Sequence, residues 1–311
     1  MRNLLHRRVR QFKGKGSSLP LIVNSQTGCL HEEEICDERH IRDTLNPCWR
    51  AHAWKGLAVS QWNVLYDVYE KRLRASLLGR PIPRHVGVIL DGNRRWAKSI
   101  GFTASQGHRV GAGKITEFLG WAEEVGVEIV TLWMLSTDNL SRQSDELSEL
   151  LAIISQAVSA LSQAGKWHLR IVGDLRLLPE DIANSLRQSA QESPAKSALS
   201  VNIAVGYGGR HEIVEAVREV IRDAGQRGES LEELASRLKD SDIAEHLYTG
   251  DQPDPDLVIR TSGEQRLSGF MIWQSAHSEF YFCETYWPDF RKIDFLRALR
   301  AYAQRERRMG K

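Results

Sequence analysis

Five short apolar runs recur along the chain, at 85–90 (HVGVIL), 127–135 (VEIVTLWML), 169–173 (LRIVG), 199–205 (LSVNIAV) and 257–261 (LVIRT). Helical spacing of apolar residues fills 144–164, 180–192, 210–224 and 230–239 between them, and a last strand at 279–283 precedes a helix over 292–307. Strands alternating with helices of this length predict an α/β fold, a mostly parallel central sheet flanked by helices on both faces. In such sheets ligands bind beyond the carboxyl ends of the strands. The residues that follow each apolar run are therefore the candidates for a site.

Those residues share a chemistry. The first run ends in Asp91-Gly92-Asn93-Arg94-Arg95-Trp96, and the second in Ser136-Thr137-Asp138-Asn139 with Arg142 close behind. The 199–205 run leads into Gly206-Tyr207-Gly208-Gly209-Arg210. The 257–261 run leads into Ser262-Gly263-Glu264, with Arg266 and Ser268 beyond. Glycines admit phosphate oxygens to backbone N–H groups, and arginines bind them in bidentate fashion. The few carboxylates, Asp91 and a later glutamate, suit a magnesium ion bridging phosphates, which needs only one or two protein ligands. The glycine cluster lacks the spacing of a dinucleotide fingerprint or a P-loop. The residues alone therefore point to a phosphate-binding α/β enzyme. The 144–164 helix carries Leu147, Leu150, Leu151, Ile154, Ala157, Val158 and Leu161 on one broad face, which serves either as ordinary core or as an apolar slot beside the charged pocket.

The formal net charge of the 311-residue chain is only +2, so anion recognition is local and nucleic acid is not an expected partner. No stretch approaches the ~18 consecutive apolar residues of a membrane span, so membrane contact is expected to be peripheral at most. Of the four cysteines none forms a C-x-x-C pair, which suggests neither a zinc site nor a disulfide framework and fits a cytoplasmic protein. Residues 1–60 have mixed charge and no sustained periodicity, and are expected to be a poorly ordered extension before a catalytic domain over 61–311. Leu65, Val68, Tyr69, Leu73 and Leu77 mark a helix at the start of that domain, either docked or lying on a membrane surface.

The segments HVGVILDGNRRWAK, GHRVGAGK, STDNLSR, VGYGGRHEI and DPDLVIRTSGEQRLSGFMIWQSAHSEFYF, closed by YWPDF, resemble the cis-prenyltransferases, the undecaprenyl diphosphate synthase family of Z-isoprenyl diphosphate synthases. The resemblance runs over about residues 64–305. DGNRRWA and GEQRLSGF look most like the short-chain actinobacterial members, which make (Z,E)-farnesyl diphosphate. The resemblance implies a single catalytic domain with an apolar tunnel, Mg2+ as cofactor, a homodimer joined near 260–290, and isopentenyl diphosphate and an allylic diphosphate as substrates. It implies that Asp91 is catalytic and shares the magnesium ion with Glu279. Gly92, Asn93, Arg95 and His108 would grip the allylic diphosphate, with Arg94, Trp96 and Ser136 among the substrate-binding residues. Arg260, Arg266 and Ser268 would hold isopentenyl diphosphate, and Asn139 and Arg142, on the mobile loop after the second strand, would serve the transfer step.

The chain departs from the family pattern at a few positions. Ala104 stands where an arginine is usual, Arg94 where a glycine is common, Asp138 and Leu140 where Glu and Trp are usual, and His277 where a Tyr is usual. Arg94 is placed to supply the phosphate-binding guanidinium that Ala104 does not. Met134, two residues before Ser136, stands where long-chain members carry a small residue, so a product of about C15 is expected. A C50–C55 synthase, a relative that couples prenyl groups irregularly, and a non-catalytic partner subunit are the alternatives. The last is disfavoured because Asp91 and the RTSGE segment are both present.

Overall fold

A computed structural model describes residues 59–305 of the chain. The expected extension lies outside the described residues apart from Val59 and Ser60, which open the first helix. The elements run α1 (Val59–Leu77), β1 (His85–Ile89), α2 (Asn93–Ser99), α3 (Ala104–Glu124), β2 (Ile129–Ser136), α4 (Ser144–Gln163), β3 (His168–Val172) and α5 (Glu180–Glu192). They continue with β4 (Ser200–Tyr207), α6 (Gly209–Gln226), α7 (Leu231–Arg237), α8 (Asp240–Glu245), β5 (Leu257–Arg260), β6 (Glu279–Phe282) and α9 (Lys292–Gln304). The six strands form one wholly parallel sheet in the order β3-β4-β2-β1-β5-β6.

All five residues of β1 are buried, the state of a central parallel strand covered on both faces, and this is why its sequence is apolar without alternation. Alternate side chains serve two cores. Val86, Val88, Leu257, Ile259 and Leu132 join the larger cluster, whereas Ile89, Val258 and Ala204 join a smaller one on the opposite face. The order of strands reverses about β1, since β2 lies on one side of it and β5 on the other. That switch point is where an open parallel sheet parts at its carboxyl end.

Spacing alone marks no helix between 92 and 126, yet α2 and α3 lie there. Thr103 starts α3 with a capping box: its hydroxyl accepts from the Gln106 N–H at 3.2 Å, and the Gln106 side chain accepts from the Thr103 N–H at 2.9 Å. Where α1's side chains are described, Leu73 and Leu77 are buried and Tyr66 and Tyr69 pack against the larger core, so this helix is docked along α9. The membrane-surface alternative for these residues is set aside. Among the described residues no helix is long and apolar enough to cross a membrane.

Candidate active site

A cavity of about 640 Å³ opens beyond the carboxyl ends of β1, β2 and β5. Its mouth is polar, with Asp91, Asn93, Arg94, Arg95, His108, Asn139, Arg142, Arg260 and Ser268 along the wall. Its inner wall is apolar, formed by Met134 from β2, Ile115 from α3, and Leu150, Ile153 and Ile154 from α4. The α4 face left open between core and slot thus serves as both: Val158 and Leu161 fill the core, while Leu150 and Ile154 also line the cavity.

Arg260 organises the mouth. It ends β5 with about 5% of its surface exposed, and one guanidinium nitrogen donates to Asp91 Oδ2 at 2.8 Å. Its other terminal nitrogen donates to Ser268 Oγ at 2.8 Å and to the carbonyl of Arg266. Arg95 reaches the same Asp91 oxygen at 3.3 Å, Glu264 at 3.0 Å and Ser262 Oγ at 2.6 Å. Burial pushes the Asp91 carboxyl up, but hydrogen bonds from Arg260 and Ser262 and the two arginine charges outweigh it and hold the group below its ordinary range. The backbone of Asp91 is held as well, since its N–H donates to Thr261 Oγ1 at 3.0 Å.

Glycines set the spacing around Asn93. Gly92 has φ +105°, and a Cβ there would meet the Tyr286 ring at 2.6 Å. A Cβ at Gly111 would overlap Asn93 Oδ1, so α2 comes this close to α3 only because position 111 lacks a side chain. Trp287 fastens the arrangement, donating from its indole to the Gly111 carbonyl at 2.7 Å.

Among the described residues, Asn93 Oδ1, His108 Nε2 and Arg260 Nε are buried at this mouth without a hydrogen-bond partner. Such atoms are costly unless a ligand completes them. Burial, helped by the nearby Arg142 charge, lowers the His108 pKa to about 4, so the ring is neutral at pH 7. Glu146 of α4 lies 3.0 Å from Arg142 and 3.4 Å from Arg94, holding both cations at the rim.

Most expected residues meet here: Asp91, Gly92, Asn93, Arg94, Arg95, His108, Met134, Ser136, Asn139, Arg142, Arg260 and Ser268 all line the cavity. Three do not. Trp96 is buried behind the wall, edge-on to Phe102 with ring centres 6.1 Å apart. The Arg266 guanidinium is exposed and pairs with Glu264, so only its carbonyl serves the site. Glu279 lies elsewhere in the chain. It opens β6, aligned with Leu257 at the start of β5, and pairs with Arg305. Asp91 follows the far end of β1, which puts it about five strand residues, ~16 Å, further along the sheet. Within one chain the two carboxylates cannot share an ion. No group of three or more metal-ligating side chains occurs among the described residues.

Lys98, one turn after Arg94 and Arg95, also lines the cavity and went unpredicted, although its spacing in RRWAK carried the signal. Of the departures, Arg94 lines the cavity and Ala104 does not; His277 lies outside it, and Asp138 within it.

A family model described as "Putative undecaprenyl diphosphate synthase" matches residues 89–310. The chain belongs to this prenyltransferase family. It is 57% identical over 247 residues to a (2Z,6E)-farnesyl diphosphate synthase of Thermobifida fusca, a match covering 79% of this chain and 97% of that protein. It is 54% identical to isoprenyl transferase 1 of Streptomyces avermitilis, covering 79% and 96%, and 52% identical to a short-chain Z-isoprenyl diphosphate synthase of Mycobacterium leprae with the same coverage. Among solved structures, lavandulyl diphosphate synthase of Lavandula x intermedia, in complex with dimethylallyl diphosphate, superposes with a TM-score of 0.68 at 34% identity. That superposition covers 74% of this prenyltransferase and 99% of the lavender chain.

Proposed function

We propose that this prenyltransferase joins isopentenyl diphosphate to a short allylic diphosphate, forms a cis double bond, and releases a product of about C15. The observation that carries this reading is the cavity's two-part lining, cationic on one side and apolar at Met134, Ile153 and Ile154. A diphosphate with a short apolar tail matches it in charge and in shape. Relatives named (2Z,6E)-farnesyl diphosphate synthase and short-chain Z-isoprenyl diphosphate synthase support the same reading.

In the proposed reaction the C–O bond of the allylic diphosphate breaks and the diphosphate leaves with the electron pair. The double bond of isopentenyl diphosphate attacks the allylic carbon, and loss of a proton closes the new double bond. Asn93, Arg95 and His108 hold the leaving diphosphate, with Arg94 standing in for an arginine at position 104. Arg260 and Ser268 hold isopentenyl diphosphate. Asn139 and Arg142, which share a 3.1 Å hydrogen bond, sit at the rim where the two substrates meet. The arginines stabilise the charge that develops on the leaving group and fix the reactants in line.

The donor set fits Mg2+ in one respect: Asp91 offers one carboxylate beside a diphosphate pocket, the pattern of an ion completed by phosphate oxygens and water. Bound there, the ion would neutralise charge on the departing diphosphate. We take the enzyme to be a homodimer, with the partly exposed edge strand β6 (EFYF) as the region to pair.

Incubation with labelled isopentenyl diphosphate, Mg2+ and dimethylallyl, geranyl or farnesyl diphosphate in turn, with products resolved by chain length, tests the proposal. Geranyl diphosphate is expected to give a single C15 product. A C50–C55 ladder would remove the short-chain reading. Consumption of dimethylallyl diphosphate without isopentenyl diphosphate would favour irregular coupling.

A further inference from the structure

The loop after β5 carries a serine that, besides its hydrogen bond to Asp91, touches a second charged group. Three non-glycine residues have positive φ among the described residues, and Ser262, at +81°, has the largest. That is the left-handed region in which glycine is at ease and a residue with a Cβ is strained. Local strain at a nearly buried position calls for something that over-determines it. Two backbone bonds pin the turn: the Ser262 N–H donates to the Thr285 carbonyl at 2.8 Å, and the Gly263 N–H to the Cys283 carbonyl at 2.9 Å. With the turn so held, Ser262 Oγ lies 2.6 Å from the Arg95 guanidinium.

Arg95 has other partners, but they differ in kind. Asp91 and Glu264 are carboxylates, each of which neutralises the cation it holds. The Tyr286 ring lies 5.7 Å from the guanidinium carbon, a contact that is soft in direction. Ser262 offers a neutral acceptor at short range, so it can orient the guanidinium while leaving the positive charge free for an incoming anion.

We infer that Ser262 is a positioning residue, whose hydroxyl, delivered by a left-handed backbone, aims Arg95 at the allylic diphosphate. This rests on the role proposed for Arg95 above. Ser262→Ala removes the hydroxyl and keeps the strained backbone; Ser262→Gly removes both. If the hydroxyl does the work, both variants raise KM for geranyl diphosphate about tenfold, as loss of a hydrogen bond to a charged group would, while KM for isopentenyl diphosphate stays within about twofold. The glycine variant also melts about 2 °C above the alanine variant, because only it relieves the strain. Arg95→Gln, assayed alongside, raises the same KM.

Parent-like KM in Ser262→Ala would overturn the inference. So would a defect in Ser262→Ala that Ser262→Gly lacks, since strain rather than the hydroxyl would then be at issue. If Arg95→Gln leaves KM for geranyl diphosphate unchanged, the role of Arg95 falls, and the inference with it. If Arg95→Gln raises that KM and neither serine variant does, only the inference falls.

Discussion

At the residue scale the site is governed by one carboxylate set among cations. Asp91 accepts from Arg260, a nearly buried arginine, and from Arg95, so part of the positive charge that would receive a diphosphate is masked until substrate and metal arrive. Masking and metal binding can be separated. In metal-free buffer, Asp91→Asn should bind inorganic diphosphate about tenfold more tightly than the parent, since a competing charge close to two arginines is gone. With Mg2+ and both substrates, the same variant should lose at least ~100-fold in kcat, having lost the carboxylate proposed to hold the ion. Calorimetric titration and steady-state assay read the two effects. Weaker metal-free binding by Asp91→Asn would mean that the carboxylate orders the arginines rather than masks them.

At the scale of elements, product length belongs to the facing surfaces of β2 and α4. Met134 stands on the larger-core side of β2, opposite Leu150 and Ile154. Met134→Ala removes an unbranched chain that neighbours replace only in part, opening room for added carbon atoms. Its expected product is longer than the parent's by at least one five-carbon unit, read by chromatography of the dephosphorylated alcohols. An unchanged product would assign the stop to Ile153 and Ile154 instead. The same elements show what was legible beforehand. Strands buried on both faces announce themselves as apolar runs, and strand-end placement then delivered Asp91, Ser136, Asn139 and Arg260. Helix α3 stayed hidden because Gly107, Gly111, Gly113 and Gly120 thin its apolar pattern, and two of those glycines are there to admit Asn93. The distance of Glu279 from Asp91 within one chain was not legible, because strand register is a property of pairing and not of the sequence that carries it. Ser262 was invisible for a related reason: its significance lies in a backbone angle.

At the scale of the whole molecule, two histidines, one buried and one partly buried, link folding to pH. His85, fully buried at the start of β1, lies 2.7 Å from the Pro253 carbonyl and 2.7 Å from Thr131 Oγ1. A carbonyl only accepts, so Nδ1 carries the proton and Nε2 accepts from the Thr131 hydroxyl. The neutral ring thereby ties β1 to β2 and to the turn before β5. Burial lowers the His85 pKa to about 4, as it does for His108. The unfolded chain has ordinary histidines near 6.5, so between pH 6.5 and 4 it binds more protons than the folded one. Stability is then complete above about pH 6.5 and declines as pH falls toward the folded value. For His85 alone a shift of that size is worth about 3 kcal/mol. Melting temperature should be flat from pH 7 to 8 and fall steeply from 6.5 to 4.5. His85→Gln should melt lower at pH 7, having lost a fitted pair of hydrogen bonds, but with a shallower acid slope. Should that variant not fold, ring NMR of the parent decides the matter, since a His85 signal titrating near 6.5 would remove the linkage.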